Sequence, residues 1–130
     1  MQVKIARWKQ AIGGIGLREA DLGGARLEGA ELVYADLKEA GLGGAHLQGA
    51  DLFDADLEGA RLGGAHLEGA DLFGARLEGA HLFHAHLEGP PVGTVHLEGA
   101  RANERTVWPE KFDWRAAGVI VGGEDTAINE

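Results

Sequence analysis

Leucine occupies every fifth position from Leu17 to Leu87, and an alanine stands two residues before each leucine from Leu22 onwards. A period of five fits neither the 3.6-residue repeat of an α-helix nor the two-residue alternation of an ordinary strand. Residues two apart in an extended segment point to the same side, and the residue between them points to the other side. The pattern therefore predicts short extended segments with one apolar side, joined by regularly spaced corners.

Glycine marks the corners. In the unit Ala-x-Leu-x-Gly, whose residues are numbered here as positions 1 to 5, glycine fills position 5 in 11 units. A type II turn requires a positive φ at its third residue, which glycine supplies without steric cost. A turn over Leu-x-Gly-Ala makes each pentad one side and one corner. Four corners close a square coil, and successive coils stack as parallel strands around leucine and alanine.

The tandem motif of residues 17–104 resembles the pentapeptide-repeat family, and residues 106–113 are similar to the end of many members. The resemblance implies an all-β fold, the right-handed quadrilateral parallel β-helix, which is a solenoid. About 18 pentads fit if Val92, Leu97 and Ala102 continue the register. Residues 90–95 replace alanine with proline and valine but keep the spacing, so we expect a locally altered coil without a break.

The chain is predicted to form a single domain over residues 1–130. Its parts are an N-terminal cap (1–16) with a short helix at 2–12, the β-helix (17–104), a C-terminal cap (105–121) and a mobile tail (122–130). The C-terminal segment concentrates the aromatic residues Trp108, Phe112 and Trp114. These cover the open end of the last coil, which would otherwise expose a sheet edge, or they form a dimer contact. Asp113 is expected to cap one helical turn that ends at Gly118, followed by residues 119–121 along the last rung.

Outward residues twenty positions apart are predicted to lie above one another in columns. One column contains large apolar residues, Val33, Phe53 and Phe73, with Tyr34 beside its start and Phe83 expected round the corner in the next column. An exposed apolar stripe is typical of a contact surface for a partner or for self-association. Stacking of the rings between rungs, which stabilises the coil by itself, is the alternative.

Acidic residues form further columns. The candidates for an interaction are Glu31, Asp51 and Asp71 in one column and Glu58, Glu78 and Glu98 in another. The family resemblance gives them a meaning, since several gyrase-interacting members resemble a DNA duplex in shape and charge. The alternative is that an acidic surface keeps the protein soluble. Arg61, Arg76 and Arg101 interrupt the acidic pattern.

Histidines form a column of their own, in which Arg26 is followed by His46, His66 and His86. His81, His84 and His96 are expected on neighbouring sides. A metal site or a pH sensor is one interpretation of such a column. A straight stack of three histidines does not converge on one tetrahedral ion, so the sequence favours a ladder of stacked imidazoles and predicts neither a metal site nor a cofactor.

Composition excludes several functions. The chain contains neither serine nor cysteine, so Ser-His-Asp and Cys-His nucleophiles are impossible, and no glycine run leads into a Lys-Ser/Thr pair. Residues 17–104 hold 6 Lys/Arg against 16 Asp/Glu, a net charge of −10 that argues against direct binding of nucleic acid. Apolar stretches are too short to cross a membrane, and the N-terminus lacks the apolar region of a secretory signal. We therefore expect a cytoplasmic protein without enzymatic activity.

Two functions remain from the sequence. The first is a non-catalytic protein-interaction or scaffold module whose protein partner is unknown, with a homodimer as one possibility. The second is a DNA-mimicking protein that interacts with gyrase or another topoisomerase and protects it from quinolones or other antibiotics. The resemblance supplies the fold, whereas one fold carries many functions. Only the outward columns distinguish these two functions.

Overall fold

A computed structural model describes residues 14–89 and 95–122, and in these ranges the chain forms a four-sided coil. Parallel bridges join residues twenty apart, from Gly16–Asp36 to His81–Arg101. The named strands are β1 (Arg101–Ala102) and β2 (Ile120–Val121), which pair in parallel. Within the described ranges there are no helices, and so none that could cross a membrane. The predicted square coil of four pentads is confirmed there.

Each corner is closed by a hydrogen bond from position 1 of one pentad to the leucine before it. The Ala25 N–H donates to the Leu22 carbonyl at 3.0 Å, and the same bond recurs around the coil. Position 5 has a positive φ, such as 68° at Gly24 and 61° at Tyr34. These are the features of a type II turn. The predicted corner is therefore confirmed, and it tolerates side chains at Glu19, Tyr34, Glu39, Asp54 and His84.

The interior consists of leucine and alanine. Every side chain at positions 1 and 3 from Ala35 to Ala65 is fully buried. Burying a leucine stabilises a fold by roughly 1.5–3 kcal/mol, and the alanines allow opposite sides of the coil to approach closely. This packing accounts for the unbroken alanine at position 1 from Ala20 to Ala85.

The ladder leaves one backbone group per pentad without a backbone acceptor, namely the N–H of position 4. An aspartate at position 2 accepts it: Asp36 from Lys38 at 3.2 Å and Asp71 from Phe73 at 3.0 Å. Asp51 and Asp56 make the same contact with Phe53 and Glu58. Buried or partly buried N–H groups need such a partner. Aspartate at position 2 therefore has a structural role in the coil.

The predicted boundaries need correction at both ends. Ile15 and Gly16 already pair with Asp36, so the coil begins before residue 17. It also continues beyond residue 104, because Val107 pairs with His86 across a separation of 21 residues. One extra residue in the corner at 103–106 causes this shift. The helix expected at 2–12, the altered segment at 90–94 and the tail from 123 onwards lie outside the described residues.

The last coil is completed by residues that the sequence assigned to the cap. Strand β2 lies along β1 with Ile120 opposite Arg101, as expected for residues 119–121, and the Gly122 N–H donates to the Ala102 carbonyl at 3.1 Å. Gly122 thus belongs to the ladder and not to a tail. Asp113 accepts from the Ala116 N–H at 3.1 Å, as expected of a cap, but residues 114–118 form hydrogen-bonded turns and no helix.

Leu47 tests the importance of the interior because its side chain has no exposed surface. Leu47→Ala is expected to lower the free energy of unfolding by about 2–5 kcal/mol through lost burial and a residual cavity. Leu47→Asp should prevent folding, since it buries an unpaired carboxylate. Urea denaturation followed by far-UV circular dichroism measures both. The outward neighbour provides the control, and an equal loss in Gln48→Ala would contradict the account.

Candidate functional site

The coil presents four outward faces, each with a column at position 2 and a column at position 4. We name them by their side chains. The first face carries, at position 2, Asp21, Gly41, Arg61, His81 and Arg101. The histidine face follows with Arg26, His46, His66 and His86, and the aromatic face with Glu31, Asp51 and Asp71. The ion-pair face carries Gly16, Asp36, Asp56, Arg76 and His96. Functional chemistry has to be sought within one face at a time.

On the aromatic face, rings at position 4 stack from rung to rung. The Phe53 and Phe73 rings are nearly parallel, with centroids 5.6 Å apart. Tyr34 at the neighbouring corner meets Phe53 edge-on at 6.1 Å. Tyr34 remains 55% exposed and Phe73 50% exposed. The structure thus brings the predicted apolar stripe together over Val33, Tyr34, Phe53 and Phe73.

The predicted place of Phe83 in this stripe is wrong. Its residue number exceeds that of Phe73 by ten, which is two sides of the coil, so Phe83 lies on the first face, opposite the aromatic face. There its ring packs against His81 with centroids 6.4 Å apart. The same arithmetic moves His96 to the ion-pair face, opposite the histidine column, although a neighbouring side was expected.

The two predicted acidic columns differ in their surroundings. Asp51 and Asp71 border the stacked rings, and each accepts the backbone N–H of the phenylalanine two residues later. Their carboxylates therefore have fixed positions beside an apolar surface. Glu31 lies in the same column, directly paired with Asp51 along the ladder.

The column Glu58, Glu78 and Glu98 lies on the ion-pair face, where cations interleave with the acids. Lys38 Nζ lies 3.7 Å from a Glu58 carboxylate oxygen, and Arg76 donates to Glu58 at 2.5 Å. Arg76 Nε also lies 3.6 Å from Glu78. Two cations thus compensate the charge at the start of this column. The column itself was predictable from the sequence. The Arg76–Glu58 ion pair was not, because it joins position 2 of one rung to position 4 of the rung before.

Side-chain contacts shift several pKa values. Desolvation raises the pKa of the Asp36 carboxyl, but the N–H of Lys38, the hydrogen bond from Arg18 and the charges of both residues outweigh it and lower that pKa. The same hydrogen bond and the Asp36 charge raise the pKa of Arg18. The charges of Glu58 and Glu78 raise the pKa of Arg76.

Glu28 on the histidine face also has a lowered pKa. Its own backbone N–H is the main cause, and the positive charge of Arg26 contributes, while desolvation opposes both. Arg26 Nε lies 3.4 Å from the Glu28 carboxylate. Both carboxyl groups with a lowered pKa, Asp36 and Glu28, therefore lie beside an arginine.

The histidine column forms the expected ladder of imidazoles. The rings of His46 and His66 lie 5.1 Å apart, and those of His66 and His86 lie 5.0 Å apart, in both cases nearly parallel. Each of the last two faces a glutamate at position 4 of its own pentad. His66 Nδ1 lies 3.5 Å from Glu68, and His86 Nδ1 lies 3.6 Å from Glu88. The sequence signal for these contacts is a histidine two residues before a glutamate.

At the C-terminal end the three predicted aromatic residues come together. Trp108 stacks against Trp114 with centroids 6.1 Å apart and lies 5.6 Å from Phe112. Trp108 and Phe112 also pack against the leucine core, as expected of a cap. A cleft of about 340 Å³ lies beside the tryptophans, and the Arg115 guanidinium covers Trp114 at 4.2 Å. A dimer contact through this cluster stays a prediction.

Comparison with known proteins finds a matching family model and similar solved structures. Residues 17–49 and 50–89 match the family model of pentapeptide repeats. HetL, a pentapeptide repeat protein involved in heterocyst differentiation regulation from the cyanobacterium Nostoc sp. strain PCC 7120, is similar with 30% identity and a TM-score of 0.61. The likeness covers 75% of this chain and only 56% of HetL. The matches imply the right-handed β-helix of these proteins.

Two further solved structures are similar. The pentapeptide repeat protein alr5209 from Nostoc PCC 7120 is 36% identical over 82% of this chain and 80% of its own, with a TM-score of 0.43. QnrB1, a plasmid-mediated fluoroquinolone resistance protein, is 17% identical over 98% of this chain and 73% of its own, with a TM-score of 0.46. Comparison with curated proteins gives no significant match.

The lowered pKa of Asp36 predicts a dependence of stability on pH. A carboxyl whose pKa is lower in the folded chain stabilises the fold above its unfolded value of about 3.9, and this contribution is lost as the pH falls through the folded value. Asp36→Asn should therefore lower the melting temperature at pH 7, and the difference from wild type should shrink below about pH 4. Calorimetric melting over a pH series measures it. Arg18→Gln should show the same trend, and a difference that grows towards low pH would contradict the assignment.

Proposed function

This chain belongs to the pentapeptide repeat family, and from that premise we propose that it is a non-catalytic protein-interaction module whose binding surface is the aromatic face. The supporting observation is the exposure of the stacked rings of Phe53 and Phe73 and of the adjoining Tyr34. The absence of serine and cysteine from the sequence supports a role without covalent catalysis. Action in the cytoplasm stays a prediction from the sequence.

Ring stacking alone does not account for the aromatic face. Stacked rings contribute about 0.5–1.5 kcal/mol beyond the burial of their area, but half of the Phe73 side chain still contacts water. Exposed apolar surface of this kind, bordered by polar groups, is typical of contact sites. Tyrosine and phenylalanine are also enriched in the centres of protein interfaces. These properties support a contact surface that exists in addition to the stabilising stack.

Charge indicates what kind of partner would fit. Asp51 and Asp71 border the rings and are held in place by backbone hydrogen bonds. A partner with an apolar side chain flanked by lysine or arginine would cover the rings and pair with these carboxylates. Complementary charge speeds association and selects among partners. We therefore propose a protein partner with a basic rim around an apolar centre.

Substitution of the rings tests this proposal. Phe53→Ser/Phe73→Ser removes the apolar surface without touching the leucine core, so the coil should persist while partner binding falls. Loss of central interface aromatics typically costs 2 kcal/mol or more, which is roughly a 30-fold loss of affinity. Quantitative capture from the native cell lysate, followed by affinity measurement on the protein retained, provides the readout.

Phe83→Ser is the matched control because it makes the same change on the opposite face. Equal loss in both variants would contradict the proposal, as would full binding by the double variant. Light scattering of the free proteins separates a different partner from a second copy of this chain. If the partner is a different protein, the molecular mass should be the same for wild type and both variants.

A second candidate function is that of a DNA mimic that binds gyrase. The observation in its favour is the net charge of −10 on residues 17–104. The interleaved cations of the ion-pair face weigh against it, since a duplex presents uninterrupted negative charge. The aspartates that accept position-4 N–H groups also have a structural reason for their presence.

Supercoiling of plasmid DNA by purified gyrase distinguishes the two functions. On the interaction-module proposal, micromolar protein should neither slow the reaction nor relieve its inhibition by a quinolone. Heat-denatured protein serves as the control for non-specific effects of an acidic chain. Inhibition or quinolone protection by the folded protein alone would favour the DNA mimic.

A further inference from the structure

We propose that Glu68, His86 and Glu88 on the histidine face form a binding site for a divalent transition-metal ion, best fitted by Zn²⁺. One nitrogen or oxygen atom from each side chain lies within 4.8 Å of the others. His86 Nδ1 and the nearest Glu88 oxygen are already 3.6 Å apart. This site is independent of the aromatic face and of the function proposed for it.

Two carboxylate oxygens in this cluster have no hydrogen-bond partner. Oε1 of Glu68 and Oε1 of Glu88 are each buried from solvent, although the side chains are only partly buried. Leaving such an oxygen unsatisfied costs about 1–3 kcal/mol and more for a charged group. In the part of the chain that the structure describes, neither glutamate forms an ion pair with lysine or arginine. A cation bound between the two carboxylates would offset their negative charge and reduce the repulsion between them.

The donor set selects among metal ions. Zinc binds histidine nitrogen at about 2.0–2.1 Å and carboxylate oxygen at about 2.0–2.2 Å. Neighbouring tetrahedral ligand atoms are then about 3.4 Å apart, which is close to the existing His86–Glu88 distance. Rotation of the glutamate side chains can supply the remaining contraction. Calcium and magnesium prefer oxygen ligands alone, so the imidazole favours zinc over them.

The stacked column orients the ligand nitrogen. The His86 ring lies against His66 at 5.0 Å with an interplanar angle of 6°. Its Nδ1 points along the face towards Glu88, while Glu68 approaches from the rung before. Two successive rungs thus contribute ligands, and the regular ladder between them fixes their separation.

The repeat supplies two natural comparisons. One rung earlier, the corresponding set is Gln48, His66 and Glu68, in which an amide replaces one carboxylate. On the ion-pair face, Glu78, His96 and Glu98 also lie close together, but Arg76 Nε already lies 3.6 Å from Glu78 and His96 is exposed. We therefore assign the metal to the histidine face.

The test is titration of untagged protein with ZnCl₂ by isothermal calorimetry, together with Co²⁺ absorption spectra that report tetrahedral coordination. His86→Phe removes the ligand nitrogen and keeps an aromatic ring in the stack. It should weaken Zn²⁺ binding at least about 10-fold, the lower end of the loss seen when even a supporting partner of a metal ligand is removed. His46→Phe is the matched control because it alters the same stack beside Gln48, and it should bind as wild type does.

Rescue sharpens the result. Gln48→Glu completes a carboxylate–imidazole–carboxylate set one rung earlier, so Gln48→Glu/His86→Phe should regain Zn²⁺ binding and the Co²⁺ spectrum. Circular dichroism confirms that each variant is folded. The proposal is overturned if wild type does not bind Zn²⁺, or if His46→Phe and His86→Phe weaken binding equally. Loss on His96→Phe with none on His86→Phe would also overturn it.

Discussion

The five-residue side closed by a corner with positive φ is the constraint on which the rest of this structure depends. At each corner the backbone N–H of position 1 donates to the carbonyl three residues earlier, as Ala25 does to Leu22, and the chain turns onto the next side. Four such turns return the backbone to the same face, so residues twenty apart pair along the ladder. Leucine burial supplies the stability, but the corner determines which residues meet. One extra residue in the corner at 103–106 makes Val107 the partner of His86, 21 residues later, where the regular corners give a separation of twenty.

The ladder also explains part of the acidic surface. Because position 4 has no backbone acceptor for its N–H, an aspartate at position 2 accepts that N–H on the aromatic and ion-pair faces. This local role does not depend on any partner. Negative charge on such a coil is therefore weak support for recognition by itself, and it gains meaning only beside another feature. On the aromatic face that feature is the column of exposed rings.

Most of the fold was predictable from the sequence because the interior repeats without variation. The square coil, the corners and the stacked rings of His46, His66 and His86 follow from the positions of leucine and glycine. The ends were less predictable, since Ile15 and Val107 occupy ladder positions without the repeat's usual residues. The predicted position of Phe83 was wrong because the ten residues from Phe73 to Phe83 span two sides of the coil and not one. The sequence did not group Glu68 with His86, because these two side chains belong to different columns and to different rungs.

The separation of interior from exterior leaves each face free to acquire its own chemistry. Positions 1 and 3 are buried and almost invariant along the chain, whereas positions 2 and 4 carry rings, acids, cations or imidazoles without disturbing the core. The aromatic and histidine faces are neighbours, and a partner on the first and an ion on the second would contact different sides of the coil. Tyr34 lies at the corner after the aromatic face, and Glu28 and Glu68 lie at position 4 of the face before it. The two faces therefore meet at one corner, and the hydrogen bonds of the ladder hold them in a fixed relation.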